Sequence, residues 1–186
     1  MDKQNNSGPL VIIEGARRSG KSYLIGRQEI FPVFKFDFNS AFSKLDLGHD
    51  SRLTHMFGLG KEIMVHQLNK EGIVGNLLID RGIITNSVWG VMMGRCSSEE
   101  ALNELEYAIE EKYLHNTTFI LVRGTYGGNR EKDLWDSMEH LIPREVELFD
   151  KIFDFVRSRG VKTRIIQNKF NEESVDEFNK LLNELK

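Results

Sequence analysis

Short apolar runs alternate along this chain with longer stretches in which apolar positions return every three or four residues. The runs predict five strands, at residues 10–14, 33–38, 76–80, 118–123 and 162–167. The periodic stretches predict helices between them. One at 20–29 ends before Pro32, and one at 60–71 is stopped by Gly72. A third opens with Ser97 and Glu100 in capping-box spacing and carries Leu102, Leu105, Ala108 and Ile109 on one face. A fourth has Pro143 in its first turn, an apolar face of Val146, Phe149, Ile152, Phe153 and Val156, and Gly160 as its stop. The last is lined by Val175, Phe178, Leu181, Leu182 and Leu185. Strand and helix alternating in this way predict an α/β fold: a parallel sheet covered by helices on both faces. Two stretches, 39–59 and 124–140, fit neither pattern. Both follow strands, where open parallel sheets place ligands, so they read as binding loops or lids, with plain surface loops as the alternative.

Composition narrows the class. At 186 residues and 40% hydrophobic content the chain suits one well-buried core, expected at 10–186 behind a flexible tail at 1–9. A net charge of −3 gives no general field for nucleic acid, so a nucleic-acid acceptor would need a local basic patch. The single cysteine, Cys96, excludes an internal disulfide and a multi-cysteine metal site, which fits a reducing cytoplasm. No apolar run is long enough to span a membrane, and the polar start lacks a signal-peptide core. His49, His55, His66, His115 and His140 have no metal-ligand spacing, and no nucleophile-elbow pattern is present, so zinc and hydrolase chemistry lack support.

The chemistry is concentrated after the first strand. Gly15-Ala16-Arg17-Arg18-Ser19-Gly20-Lys21-Ser22 satisfies GxxxxGK[ST], the phosphate-loop pattern. Glycine at about 7% of residues makes a chance match in a chain this long roughly a one-in-a-hundred event. The two glycines let backbone N–H groups turn inward onto phosphate oxygens at a helix N-terminus. Lys21 would reach the β and γ phosphates of ATP, and Ser22 would offer its hydroxyl to Mg²⁺. Tyr23 follows directly and belongs to the same nucleotide site. The third strand ends Ile79-Asp80-Arg81-Gly82. Asp80 is a Mg²⁺ candidate, with a structural ion pair as its alternative. ATP-hydrolysing motors place a glutamate after this aspartate; here Arg81 stands instead, which suits transfer of a phosphoryl group more than its hydrolysis.

The Glu14-Gly15 start of the loop, Lys21-Ser22, Asp80-Arg81, Thr85-Asn86 and Trp89 together resemble the thymidylate kinase and deoxynucleoside kinase group. The resemblance implies a three-layer α/β/α phosphate-loop fold with strand order 2-3-1-4-5, and an ATP- and Mg²⁺-dependent kinase. It implies that Arg18 neutralises charge on the γ-phosphoryl in transit. Arg17 stands where such enzymes carry an aspartate for the acceptor sugar, and Gly82 where they carry an aromatic residue. Asp37, after the second strand, would be the general base for a hydroxyl acceptor, or would bind a sugar hydroxyl or hydrated Mg²⁺, or would simply be a turn aspartate. Trp89 either stacks on an acceptor base or packs in the core. Arg123 and Arg130, with Lys132 nearby, would close over ATP, against the alternative of a solvated surface with Glu131, Asp133 and Asp136. Asn168, in the loop after the fifth strand, marks where related kinases hold adenine. The favoured acceptor is a deoxynucleoside monophosphate, thymidylate above others. A hydroxyl of a nucleoside, a DNA end or a modified DNA base is the runner-up, and a nucleotide-binding ATPase module comes third. Helices around the third strand form homodimers in the group resembled.

Overall fold

The computed structural model describes residues 8–35, 52–124 and 136–186. Five strands, β1 (Leu10–Glu14), β2 (Val33–Lys35), β3 (Leu77–Asp80), β4 (Thr117–Arg123) and β5 (Lys162–Gln167), form one parallel sheet in the order β2-β3-β1-β4-β5. The helices are α1 (Lys21–Ile25), α2 (Arg52–Lys70), α3 (Ile83–Met92), α4 (Ser98–Glu110), α5 (Ile142–Ser158) and α6 (Glu172–Leu185), and a 3-10 turn at Asp136–Leu141 leads into α5.

Each strand's alternation sorts its side chains into two cores. Leu10, Ile12, Ile79, Phe119 and Leu121 face α2 to α5, where Val65, Ile84, Val88, Leu105, Phe149 and Phe153 meet them. Val11, Ile13, Leu78, Ile120 and Val122 face α1 and α6, against Leu24, Val175, Phe178 and Leu182. β1 is central and buried on both faces, which is why its sequence is an unbroken apolar run up to Glu14. This places the loop after β1 at the carboxyl edge of the sheet, beside the end of β3, where the strand order reverses.

Two helix boundaries differ from the sequence expectation. α1 ends at Ile25, short of 29, because the Gln28 side chain takes over the backbone: its oxygen accepts from Ile30 N and Phe31 N, and its amide donates to Phe31 O. α2 starts at Arg52, eight residues before the expected 60, and absorbs the end of the stretch read as a loop. Its first two turns bury Thr54, His55 and Gly58, so the inward face has no apolar repeat to read. Gly58 looks like a breaker but is where Asn86 of α3 packs onto the helix. The capping box of α4 is present in both directions: Ser97 Oγ accepts from Glu100 N, and Glu100 accepts from Ser97 N. Among the described residues no helix is long and apolar enough to cross a membrane.

Candidate active site

The loop from Gly15 to Gly20 turns through three left-handed residues, Gly15 (φ 143°), Arg18 (φ 62°) and Gly20 (φ 88°). Glycine takes such angles freely, whereas Arg18 is strained and must be held by what surrounds it. Lys21 is buried in the hollow this turn makes. Its ammonium donates to Ala16 O at 2.8 Å, to Gly15 O at 2.5 Å and to Ser19 Oγ at 3.3 Å. Burial first, then the positive charge of Arg81, pulls its pKa well below the usual lysine value, while Asp80, Glu145 and Glu14 favour the charged form. Loop and Lys21 therefore form a cationic cradle whose charge gains most when an anion arrives.

The end of β3 lies beside it. Ile13 pairs with Asp80 in the sheet, and Arg81 N donates to Ile13 O. Arg81 (φ 72°) acts electrostatically on both Lys21 and Glu14, so the Asp-Arg pair lies beside the loop. One carboxylate oxygen of Asp80 is 3.6 Å from Lys35 Nζ; the other is buried and makes no hydrogen bond among the described residues. A buried carboxylate oxygen with nothing to accept fits a hydrated Mg²⁺ nearby, and Ser22, exposed in the first turn of α1, is the second oxygen donor of the set.

Glu14 is a buried carboxylate beside the loop whose contacts the sequence conceals. It is wholly buried at the end of β1, where its oxygens accept from Gly82 N (3.0 Å) and from the Thr85 hydroxyl. α3 has no side-chain cap of its own at Gly82, so Glu14 serves as that cap from another element. Burial raises its pKa to about 7; the Thr85 hydrogen bond opposes the rise, Glu62 adds to it and Arg81 opposes it. In the unfolded chain the same group titrates near the ordinary carboxylate value. Between about pH 4.5 and 7 the folded protein therefore binds the extra proton, and stability falls as pH rises through that window. Glu14→Gln is expected to flatten this slope and to gain about 3 kcal/mol relative to the wild type between pH 4.5 and 8. Urea titrations at the two pH values measure it, and parallel profiles for the two proteins would reject the assignment.

The remaining candidates are arranged as follows. Arg17 is held by Glu145, and its guanidinium lies 5.0 Å from the Trp89 ring centre. Arg18 is ion-paired with Glu139 of the 3-10 turn. Arg123 is paired with Asp150 of α5 at 2.7 Å. Asn168 is buried, and its amide donates to Ser19 O at 3.1 Å, lacing the loop after β5 to the phosphate loop. Phe170 N donates back to Asn168, and the Phe170 ring lies 5.8 Å from Tyr23, over which Arg27 stacks at 4.3 Å. Ala16 and Ser19 are buried inside the turn. Asp37, Arg130, Glu131, Lys132 and Asp133 lie outside the described residues. Cys96 is buried and unlinked, with its thiol pushed up to about 11 by burial. Among the described residues no group of three or more His, Cys, Asp or Glu residues is placed to hold a metal ion.

Sequence reasoning missed Glu139 and Glu145. Glu145 carried a readable signal, since it stands four residues before Phe149 and so on the inward stripe of α5. The expected position on that face, Val146, is 41% exposed instead.

The sheet order and the helices on both its faces match a phosphate-loop NTPase fold, three layers deep, with the loop at the carboxyl ends of β1 and β3. Comparison with solved structures shows the same fold in two proteins of low sequence identity. The chain superimposes on a NadR protein in complex with NR with a TM-score of 0.59 and 14% identity, over 97% of this chain and 51% of that one. It superimposes on deoxyadenosine kinase from M. mycoides with bound dCTP with a TM-score of 0.53 and 13% identity, over 94% and 99% of the two chains. The chain thus spans about half the length of the NadR protein and the whole of the deoxyadenosine kinase. No protein family and no curated protein matches the sequence.

Proposed function

We propose that this protein is an ATP-dependent phosphotransferase that passes the γ-phosphoryl group to a hydroxyl of a nucleoside. The observation that carries the reading is Lys21 buried in the loop with Arg81 acting on it from the end of β3. Two cations converge where a terminal phosphoryl would sit, and no glutamate follows Asp80 to activate water. In the transfer, the acceptor oxygen forms a bond to the γ-phosphorus while the bond to the β–γ bridging oxygen breaks and ADP departs. The hydroxyl proton passes to a base, for which Asp37 is the candidate from sequence. Loop N–H groups and Lys21 hold the β and γ phosphates, and Arg81 meets the charge on the migrating group. Asp80 and Ser22 are the residues that would hold Mg²⁺, which would supply neutralisation of phosphate charge.

Charge bookkeeping around the loop favours a nucleoside over a monophosphate acceptor. Arg17, Arg18 and Arg123, the cations best placed to receive a second phosphate, face Glu145, Glu139 and Asp150 respectively. The similarity in fold to a deoxyadenosine kinase over nearly its full length supports the same acceptor class. The second reading, a deoxynucleoside monophosphate with thymidylate as its leading example, rests on the phosphate-loop and Asp80-Arg81 resemblance. The protein is to be mixed with γ-labelled ATP, Mg²⁺ and separate panels of nucleosides, nucleoside monophosphates and oligonucleotides. Label on a nucleoside is the expected result. Label on monophosphates would replace this reading with the second, and release of free phosphate without regard to acceptor would remove kinase activity altogether.

A further inference from the structure

Resting on the reading of the loop as an ATP site, we propose that Glu145 is a positioning residue: it fixes the phosphate loop in its nucleotide-receiving shape by holding Arg17 at both its main-chain and its side-chain nitrogen. Glu145 Oε1 accepts from Arg17 N at 3.1 Å, and Oε2 accepts from Arg17 Nε at 2.9 Å. Glu145 has no exposed surface, and the Arg17 side chain is 12% exposed. On its other side the guanidinium rests near the ring of Trp89, so α5 and α3 grip one loop residue between them.

Two ties to one residue accomplish what a single tie cannot. A side-chain ion pair alone lets the backbone swivel; a carboxylate that also binds the N–H fixes the plane of the peptide before Arg17. The next residue, Arg18, sits at φ 62°, a conformation that costs a non-glycine residue about 1–2 kcal/mol and persists only where neighbours dictate it. Glu145 supplies that constraint from a helix 128 residues further along the chain. Its negative charge also favours the ammonium form of Lys21 against burial, so one carboxylate serves both the shape and the charge of the cradle. A buried, charge-assisted pair of this kind is costly to break from one side, because the remaining partner is left charged and unpaired.

The test is calorimetric titration of the full chain with ATP and Mg²⁺, which reports affinity and stoichiometry separately. An unfolded fraction lowers the stoichiometry, whereas a misplaced loop lowers the affinity. Wild type binding and Lys21→Ala not binding are measured first. Glu145→Gln keeps an oxygen for the Arg17 N–H but loses the charge, and a loss of about 3- to 10-fold in affinity is expected. Arg17→Met strands the carboxylate, and a loss of at least about 10-fold is expected. The double variant removes both charges while retaining the oxygen that receives the main-chain N–H, and is expected to recover to the level of Glu145→Gln. Affinities within twofold of wild type in both single variants, or losses that multiply in the double, would overturn the role of Glu145. Absence of ATP binding by the wild type would instead overturn the ATP reading beneath it.

Discussion

Lys21→Ala is expected to lower phosphoryl transfer by roughly 10²- to 10³-fold while the melting temperature holds or rises. The rate loss follows from removing a preorganised charge aimed at the β and γ phosphates, where a single such donor contributes on the order of 10²- to 10³-fold. The stability outcome has the opposite sign because of where the lysine lies. Its folded pKa is depressed by burial, so at every pH below the unfolded value folding costs either the desolvation of the ammonium or the loss of its proton, neither of which the unfolded chain bears. Alanine ends that cost, and the loop oxygens of Gly15 and Ala16 turn to water. Activity measured with labelled ATP, together with a thermal melt of the same preparation, checks both halves. A variant that lost activity through unfolding, with a sharply lower melting temperature, would show that Lys21 is a structural post instead of a phosphate ligand.

Gly20→Ala should be a strongly damaging change for one that adds a single methyl group. Gly20 lies at φ 88°, and a Cβ there would overlap the Asn168 amide and come within 2.6 Å of the Phe170 ring. The left-handed backbone costs about 1–2 kcal/mol for any side chain, and forcing the packed neighbours apart adds about 1–3 kcal/mol. Gly72→Ala is the matched control: its φ is 71°, but nothing lies within 4 Å of a Cβ there, so only the backbone cost applies. Urea midpoints of the two variants separate the terms. Equal losses would mean that the loop after β5 does not press on the phosphate loop as the Asn168 to Ser19 hydrogen bond requires.

What the sequence discloses and what it hides follow from the same physics. β1 and the loop were legible because a central strand is apolar on both faces and the phosphate loop needs two glycines at fixed spacing. The juxtaposition of Asp80 and Arg81 with the loop was legible because β3 runs alongside β1 in register. The beginning of α2 was not, since its buried side holds Thr54 and His55, the latter hydrogen-bonded with Glu104 at 2.7 Å and with Asn86, and periodicity detects only apolar burial. Glu145 failed for the same reason. An acidic residue on an inward stripe reads as a register error until its partner, 128 residues away, is seen. Asn168 follows β5 as the strand pattern implies, yet its tie to Ser19 O depends on a fold-level contact that no local pattern encodes.

Glu14 ends the strand that feeds the phosphate loop, and the same carboxylate pins the root of α3 through Gly82 and Thr85. On the proposed function, the donor and acceptor walls of the cleft are thus geared on one pivot. Tilting the base of α3 to admit a larger acceptor would drag the triphosphate cradle with it, whereas changes beyond Asn86, toward Trp89, leave the pivot untouched. Divergence of acceptor choice without forfeiting the donor site is channelled to that distal half of the helix, which makes it the place to begin any redesign.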